Sequence, residues 1–310
     1  MKKKILNIGS VTKDIVIIGD DEYNQIGGAV YYQFSTFDKL KIDHDSIILI
    51  GKDELEMMGH LNDKKNIHKI ITEKSMQYTN IYQDDNTRQQ KAYFPKDKIR
   101  IQDIERLDVN LNEYSKVILS PLSPYEIDEN LIRYFKKSDI ETILLIQGFI
   151  RKLDKNDNVI NTRWDGYQKY LKYTDIISCD AEEFQKAFDI SINRDNMKKF
   201  ILENSLKIVI ITQASNGSTI YTENEAIKIP VIKTPHEVDP TGLGDTYLSA
   251  FITKKDESTL FNAGLYAAVC AKNKLENKGT LKTSKNKIEK EYSDILNHIS
   301  QDSKWNYDCQ

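Results

Sequence analysis

The stretches Ile143-Leu-Leu-Ile146 and Ile208-Val-Ile-Ile211 carry an apolar side chain at every position. Strands that are apolar on both faces are typical of a parallel sheet that is covered by helices on either side. Similar runs recur along the chain and alternate with segments of helical periodicity. This alternation predicts a doubly wound α/β fold, with a mainly parallel sheet and helices on both faces.

The strands and helices of this fold can be assigned along most of the chain. The predicted strands cover residues 5–9, 46–51, 116–122, 142–147, 175–179 and 207–212. The predicted helices cover residues 29–40, 125–137, 162–173, 182–188, 196–204, 260–277 and 285–299. Ligands of such folds bind beyond the carboxyl ends of the strands, so the residues that follow each strand are the candidates for a functional site.

Two stretches do not follow the strand and helix alternation. Residues 14–26 and 76–101 alternate polar and apolar residues without a helical period. Within them, residues 15–18, 77–83 and 90–94 have the composition of hairpin strands. They predict hairpin strands, which would pair with one another in a small β-sheet, within a single domain of residues 1–310. An exposed edge of this small sheet would allow two chains to pair as a homodimer.

The composition argues against several classes of protein. The 310 residues are 39% hydrophobic and 29% charged, and a net charge of −3 does not suggest binding to nucleic acid or to an acidic membrane surface. No run approaches the roughly 20 apolar residues that span a bilayer, and the apolar run after the basic start is too short for a signal peptide. The three cysteines lie far apart and show no disulfide framework or metal-ligand spacing. These features predict a cytoplasmic globular protein.

The segment Asp239-Pro-Thr-Gly-Leu-Gly-Asp-Thr-Tyr247 carries the most information about function. It lies between a predicted strand at residues 227–234 and a stretch of helical periodicity, so a glycine-rich turn opens a helix. The free N–H groups at a helix start attract anions, and glycine lets a phosphate approach the backbone. Asp245, in the first helical turn, is placed to accept a proton from a hydroxyl that attacks the phosphate. Alternatively, Asp245 only stabilises the helix start, and Thr241 is its N-cap.

This segment resembles the C-terminal signature of the ribokinase-like, or PfkB, family of carbohydrate kinases. Asn7-Ile-Gly-Ser10, Asp14 and Gly27-Gly28-Ala29 resemble the N-terminal signature of the same family. The matches follow the family's order and extend over nearly the whole chain. The resemblance implies that the protein transfers the γ-phosphoryl group of ATP, together with Mg²⁺, to a hydroxyl of a sugar or polyol.

The same resemblance assigns the catalytic roles. It implies that Asp245 is the general base of the transfer. The backbone N–H groups that would form the anion hole belong to Gly242, Leu243 and Gly244. It also implies that the small predicted sheet is a lid over the sugar, which would keep water away from the phosphoryl group.

The acceptor would be held by residues of the N-terminal half. The resemblance assigns Asp14, Gly27 and Gly28 to acceptor binding, because a carboxylate accepts hydrogen bonds from hydroxyls and glycine permits close approach. Taken alone, each of these residues would fit an ordinary turn equally well. Arg88, between two lid strands, either reaches a substrate or points to solvent. Gln147 follows a buried strand and either shapes the sugar pocket or simply ends that strand.

One departure from the family concerns the acceptor. Relatives often carry an asparagine a few positions after the paired glycines, where it contacts sugar hydroxyls. Val30-Tyr31-Tyr32 stands there in this chain. The tyrosines leave open a ring-shaped polyol or a nucleoside as the acceptor, packed against an aromatic ring.

The nucleotide and the metal ion would be held by residues of the C-terminal half. Asp180 and Glu183 resemble the family's Asn-x-x-Glu motif, which helps place Mg²⁺ and its waters, although they would also suit a helix N-cap and its N3 partner. Thr212 and Gly217 resemble a nucleotide loop, with alanine in place of its middle glycine, or else they bound a hairpin turn. Asn262 opens a helix that the resemblance places beside adenine.

Two other functions remain open from the sequence. A nucleoside kinase would share the whole mechanism and differ only in its acceptor. A sugar-binding or regulatory module without catalysis would use the same fold, but it would have no need for Asp245. The chain lacks the Gly-x-x-x-x-Gly-Lys-Ser/Thr phosphate loop, and its five histidines show no ligand spacing.

Overall fold

The computed structural model describes residues 3–82 and 88–301. The strands of the described residues are β1 (Lys4–Ser10), β2 (Thr12–Ile18), β3 (Asp21–Gly27), β4 (His44–Gly51), β5 (Ile67–Thr72), β6 (Met76–Tyr82), β7 (Arg88–Tyr93), β8 (Tyr114–Ser120), β9 (Glu141–Leu145), β10 (Arg151–Leu153), β11 (Val159–Asn161), β12 (Ile176–Asp180), β13 (Ile208–Thr212), β14 (Ser218–Tyr221) and β15 (Ala226–Ile229). The α-helices of the same ranges are α1 (Ala29–Leu40), α2 (Ile101–Arg106), α3 (Glu129–Lys137), α4 (Gln147–Ile150), α5 (Gln168–Leu171), α6 (Ala181–Phe188), α7 (Arg194–Asn204), α8 (Leu243–Lys254), α9 (Leu260–Leu275) and α10 (Lys285–Gln301). Short 3₁₀ segments cover Lys52–Asp63, Leu111–Glu113 and Ala214–Asn216.

The chain divides into two compact units. The first unit comprises Met1–Tyr31, Asp43–Ile177 and Glu182–Ile190. The second unit comprises Tyr32–Ile42, Ser178–Ala181 and Ser191–Gln310.

The first unit is built on a parallel sheet. Strand β1 pairs in parallel with β4 and with β8, while β5 and β9 pair in parallel with β4 and β8 respectively. The centre of the sheet is mainly apolar, and Ile8, Val117, Ile118 and Ile143 are completely buried there. This burial on both faces is what the all-apolar strands predicted.

A second, four-stranded sheet of the first unit has the order β3-β2-β6-β7. Strands β2 and β3 form an antiparallel hairpin, β6 and β7 form another, and β2 pairs with β6 in parallel. Because side chains alternate between the two faces, Thr12, Asp14 and Val16 of β2 share the buried face. Met76 and Tyr78 of β6 lie on the same face and belong to a buried apolar cluster. The small predicted sheet is therefore confirmed.

In the second unit the strand pairing is antiparallel, since β14 pairs with β13 on one side and with β15 on the other. Helices α8 and α9 pack along each other, and nearly all of their apolar side chains are buried. Helix α10 packs on α9 through an edge-to-face pair of Tyr266 and Tyr292, whose ring centroids lie 5.4 Å apart. Lys254 lies 4.7 Å from the centre of the Tyr266 ring and pairs with Glu289 at 3.1 Å.

Several element boundaries differ from the predicted ones for local reasons. The predicted helix 125–137 begins only at Glu129, because the Asp128 side chain caps it by accepting from the N–H groups of Asn130 and Leu131. The predicted strand 227–234 ends at Ile229, since Pro230 follows it and has no N–H to donate.

The predicted helix at residues 162–173 was wrong over most of its length. Only Gln168–Leu171 is helical. Trp164 lies before this turn and stacks on Phe149, with ring centroids 4.3 Å apart and planes 3° apart. The aromatic residues produced the apparent helical spacing, but tertiary packing rather than a helix accounts for their burial. The hairpin of β10 and β11 and the edge strand β5 were not predicted.

The structure also bears on membrane spans and on the cysteines. Over residues 3–82 and 88–301, no helix has the length and apolar character required to cross a membrane. Cys179 and Cys270 are buried thiols, and burial raises the pKa of the Cys270 thiol above its usual range. Cys309 lies outside the described residues.

Candidate functional site

Helix α8 begins on a left-handed glycine. Gly242 is the N-cap, with φ 77° and ψ 14°, so Thr241 is not the cap. Glycine carries no side chain that could accept from the first helical N–H groups, and an anion can take that place. The N–H group of Leu243 donates to Pro240 O at 3.3 Å, a turn contact that an additional acceptor can share. Asp245 lies in the first turn and is partly exposed.

Gly242 also makes a contact that no other residue could make. A β-carbon at this position would lie 2.3 Å from Cδ1 of Tyr32. The Tyr32 ring is buried, so it forms a wall behind the turn. The Tyr32 ring thus packs against Gly242, and the packing of a tyrosine of this segment against the acceptor stays a prediction.

The turn that leads to Gly242 is held by a charge network. Asp239 accepts from the N–H of Thr241 at 2.9 Å and from the N–H of Gly279 at 2.8 Å. Lys274 is completely buried; its Nζ donates to the Asp239 carbonyl oxygen at 2.6 Å and lies 3.3 Å from Oδ2. Burial opposes the ionisation of Asp239, but the two N–H donors and Lys274 hold its pKa below the usual value.

Lys274 was missed in the sequence, although a signal was present. It follows Cys270 by four positions and Ala267 by seven, which places it on the buried face of α9. A lysine on such a face requires a partner, because an unpaired buried ammonium is strongly unfavourable. Burial lowers the pKa of Lys274, while the nearby charges of Asp239 and Asp245 oppose that shift.

A cavity of about 570 Å³ opens beside the start of α8 within the second unit. It brings together five of the residues predicted for the site, which are Asp180, Thr212, Gly217, Leu243 and Gly244. Its apolar wall comes from α9, through Ala268, Ala271 and Leu275. Asn262 is not one of the lining residues; it lies in the first turn of α9, where its N–H donates to Thr259 Oγ1 at 3.2 Å.

The loop between β13 and β14 forms one rim of this cavity. Gln213 N donates to Gly217 O at 2.8 Å, which closes the turn. Ala214 takes the place of the middle glycine of the family's loop and has a φ of 46°, a left-handed value that favours glycine. Ser218 Oγ donates to Tyr247 Oη at 2.7 Å, and this bond ties the loop to α8.

In the first unit, the predicted acceptor residues lie side by side. Thr12 Oγ1 donates to Asp14 Oδ1 at 2.7 Å. A β-carbon on Gly27 would lie 2.3 Å from Asp14 Oδ2, so the carboxylate lies directly over this glycine. Gly28 has a φ of 102°, and a β-carbon there would lie 2.3 Å from Ser10 O. A side chain at position 27 would therefore meet the Asp14 carboxylate, and one at position 28 would meet the backbone of Ser10.

Tyr78 and Arg151 extend this group. Asp14 and Tyr78 are direct partners in the pairing of β2 with β6, so their side chains share a face. Arg151 Nη1 donates to Tyr78 Oη at 2.6 Å, and Tyr78 Oη donates to Leu122 O at 3.0 Å. Burial raises the pKa of Tyr78 to about 12, against the opposing charge of Arg151. Tyr78 could not be singled out in the sequence, because nothing local separates it from a lid residue that only packs.

Glu126 is another buried group that the sequence did not reveal. It accepts from Ser10 Oγ at 2.5 Å and from the N–H groups of Leu122 and Ser123 at 2.6 Å and 2.7 Å. Burial raises the pKa of Glu126, and these hydrogen bonds oppose the shift. Glu126 thus joins the end of β1 to the loop that follows β8.

The remaining predicted residues are placed separately. Gln147 opens α4 rather than ending β9, and its Nε2 donates to Glu183 Oε1 at 2.7 Å. Asp180, the last residue of β12, is exposed. Arg88 is the first residue of β7, and its side chain lies outside the described residues. Among residues 3–82 and 88–301, no group of three or more His, Cys, Asp or Glu side chains is arranged to hold a metal ion.

Comparison with known sequences gives one family and a partial relative. Residues 62–287 match the model of the pfkB family carbohydrate kinases. A nucleoside kinase of Methanocaldococcus jannaschii is 34% identical over 116 residues, which cover 35% of this chain and 35% of that protein. The chain thus matches about a third of the length of the curated relatives.

Comparison with solved structures establishes the fold. A pyrophosphate-dependent kinase in the ribokinase family, in complex with sulfate, has a TM-score of 0.78 at 22% identity, covering 92% of this chain and 99% of that chain. Ribokinase of Arabidopsis thaliana, complexed with ribose and ATP, has a TM-score of 0.74 at 17% identity, covering 94% and 99%. These neighbours share a large, mainly parallel sheet with helices and a small separate sheet, so the predicted fold class is confirmed.

Proposed function

The chain belongs to the pfkB family of carbohydrate kinases, and from this premise we propose that it transfers the γ-phosphoryl group of ATP to a hydroxyl of a sugar or polyol. The observation that carries the proposal is the start of α8. A left-handed glycine leaves the first helical N–H groups without a side-chain acceptor, and Asp245 follows within the same turn. An anion site and a base within one helical turn are what phosphoryl transfer to an alcohol requires.

In the proposed reaction, Asp245 accepts the proton of the acceptor hydroxyl. The hydroxyl oxygen forms a bond to the γ-phosphorus, the bond from that phosphorus to the bridging oxygen breaks, and ADP leaves. The N–H groups of Gly242, Leu243 and Gly244 stabilise the negative charge on the transferred oxygens, assisted by the positive end of the α8 dipole.

The acceptor and the nucleotide are held by different parts of the chain. Asp14 accepts hydrogen bonds from acceptor hydroxyls, and Gly27 and Gly28 allow the sugar to approach the backbone. Thr212 and Gly217 contact the nucleotide at the rim of the cavity in the second unit. Arg88, Gln147 and Asn262 stay predictions for binding roles.

The donor set fits a magnesium ion that is held mainly by phosphates and water. Mg²⁺ prefers oxygen ligands and usually takes one or two carboxylates. Asp180 lines the cavity, and its carboxylate would hold the ion or its waters. Glu183, which has one oxygen engaged by Gln147, stays a prediction for the same role. When bound, Mg²⁺ would offset the charge of the phosphates during transfer.

The cavity supports ATP rather than pyrophosphate as the donor. A structural neighbour is described as pyrophosphate-dependent, and another binds ribose and ATP. Pyrophosphate has no nucleoside, whereas the cavity of about 570 Å³ has an apolar wall formed by Ala268, Ala271 and Leu275. Small-molecule sites of this volume and apolar lining hold ligands of nucleoside size. The use of ATP would also agree with a cytoplasmic location.

The test is ATP consumption with Mg²⁺ across pentoses, hexoses, inositols and nucleosides. Asp245→Asn should lower acceptor-dependent turnover by roughly 10²- to 10⁴-fold, as expected for loss of a general base. The matched control is Asp195→Asn, since Asp195 also lies in the first turn of a helix of the second unit. If Asp245 only stabilised its helix, both variants would keep full turnover, and that result would refute the proposal.

A nucleoside acceptor is the second candidate, and the partial relative from Methanocaldococcus jannaschii favours it. Turnover with nucleosides but with no sugar or polyol in the panel would decide for it. A binding module without catalysis would instead give calorimetric binding of an acceptor with no ATP consumption by the wild-type chain.

A further inference from the structure

Lys274 lies beneath the turn that leads to the start of α8. It belongs to α9 and is completely buried. Its Nζ contacts two oxygens of Asp239, and it lies 5.7 Å from the centre of the Tyr32 ring. The charge of Lys274 is therefore removed from water and faces one carboxylate, one carbonyl oxygen and one aromatic ring.

The partners of Lys274 are also the supports of the proposed anion site. Asp239 fixes the turn through Thr241 N and Gly279 N, and both of its carboxylate oxygens are used. Tyr32 is the ring against which Gly242 lies. The same ammonium therefore holds the chain before Gly242 and borders the wall behind it.

The ammonium also acts on Asp245 through its charge. The attraction between Lys274 and Asp245 is one of the influences on the titration of this lysine. The positive charge of Lys274 therefore lies close enough to Asp245 for the two side chains to attract each other, in addition to the turn contacts. An apolar side chain of the same size could fill the space, but it would provide neither the turn contacts nor this charge.

We propose that Lys274 is a positioning residue for phosphoryl transfer, whose tethered ammonium fixes the turn from Asp239 to Gly242 at the start of α8. The inference rests on the proposed function, since it concerns the geometry of the same anion site and base. It assigns to α9 a role in the chemical step in addition to lining the cavity.

The first test compares Lys274→Ala with the wild type as full chains. We expect kcat to fall by about 10²-fold, the size of loss that a misplaced catalytic group produces, while KM for ATP and for the acceptor changes much less. The control is Lys254→Ala, which also removes a lysine that lies over a tyrosine ring and pairs with a carboxylate, but at the far end of α8. This control should keep the wild-type kcat.

The second test asks whether a free amine can replace the side chain. Lys274→Ala leaves a space next to the oxygens of Asp239, and ammonium or methylammonium chloride should bind there and restore kcat at least several-fold. Tetramethylammonium chloride has no N–H group and serves as the control for salt. Loss of kcat that neither amine restores would mean that the lysine acts only through folding, and the proposal would be wrong.

The outcomes separate this inference from the proposed function. Wild-type turnover that is lost in Asp245→Asn supports the function, and full kcat in folded Lys274→Ala would then overturn only the role of Lys274. A wild type without turnover would overturn both. If Lys274→Ala does not fold, Lys274→Met preserves the volume, and it should show the same fall in kcat with KM maintained; an unchanged kcat in this variant would also overturn the inference.

Discussion

Gly242 shows how the backbone conformation of a single residue shapes the proposed site. Its left-handed φ directs the chain into α8, and its missing side chain admits the Tyr32 ring. Gly244, two positions later, has no heavy atom within 4 Å of where a β-carbon would be. The two glycines of one motif therefore meet different requirements.

Gly242→Ala should lower the free energy of unfolding by at least about 2 kcal/mol, because the new β-carbon would both clash with Tyr32 and strain φ. Gly244→Ala should stay within about 0.5 kcal/mol of the wild type, yet lower kcat, because its methyl group lies where we propose the phosphate. Urea unfolding and kcat, measured on both variants, check this pair. Equal stability of the two alanine variants would contradict the argument.

Glu126 provides a dependence of stability on pH. Its pKa is raised by burial above the ordinary value of 4.5, so the protonated form is favoured in the folded chain. The stability that this carboxyl contributes is therefore complete below the ordinary pKa and is lost as the pH rises through the folded pKa.

Glu126→Gln mimics the protonated form and does not titrate. The wild type should therefore lose stability relative to this variant between about pH 4 and about pH 8. Urea unfolding of both proteins at the two pH values measures the difference, in which the titration of all other groups cancels. If the wild type instead became more stable relative to the variant at the higher pH, the hydrogen bonds from Ser10, Leu122 and Ser123 would lower the pKa of Glu126 by more than burial raises it.

Residues of the site differ in how far they can be predicted from sequence. Asp245 and Gly242 lie in one contiguous motif, so local spacing was sufficient to single them out. Lys274 contacts a residue 35 positions away, Tyr78 one at 44, and Glu126 one at 116. Such partners are brought together only by the fold. The spacing of Lys274 on the buried face of α9 signals that it requires a partner, but it does not say which residue that partner is.

At the scale of elements, the sequence predicts well where the side-chain period is regular. Helix α1 has the predicted bounds, and the all-apolar strands were found within a residue or two. Prediction failed where a single residue overrides the pattern, as Asp128 does by capping α3 and Pro230 by following β15. It also failed where aromatic stacking imitated a helix around Trp164.

The Tyr78 hydroxyl joins the small sheet to the loop after β8 by donating to Leu122 O. Tyr78→Phe would leave Leu122 O without this donor and Arg151 without this acceptor, and should cost about 1–2 kcal/mol of unfolding free energy. KM for the acceptor should rise, because Tyr78 neighbours Asp14, while KM for ATP should not change. Tyr93→Phe on β7 is the control, since Tyr93 is exposed. Equal effects of the two substitutions would refute this role of Tyr78.

A substitution on helix α9 tests whether the nucleoside part of ATP binds in the cavity. Ala271 lines the cavity and is partly exposed, so Ala271→Phe would fill space that we assign to the nucleoside. KM for ATP should rise at least about tenfold, which corresponds to about 1.4 kcal/mol of lost binding. KM for the acceptor, measured on the same variant, is the internal control. An unchanged KM for ATP would indicate that the nucleoside binds elsewhere.

For the whole molecule, the two units carry different ligands in the proposed function. Hydrogen exchange should therefore respond in different segments to each ligand. A non-hydrolysable ATP analogue should slow exchange in residues 212–217, 243–247 and 268–275, and the acceptor should slow it in residues 12–18 and 21–28. Protection of the first unit by the nucleotide alone would contradict this division.

The buried thiol of Cys270 has a consequence for how the folded chain can be observed. Only a thiolate reacts quickly with disulfide reagents, and burial keeps Cys270 both out of reach and protonated. A reagent can therefore label Cys270 only during the brief openings of α9. The labelling rate thus measures how often α9 opens. Ala271, which follows Cys270 in the chain, lines the cavity. A ligand that fills the cavity should therefore lower the labelling rate of Cys270 tenfold for each 1.4 kcal/mol by which it stabilises the closed helix.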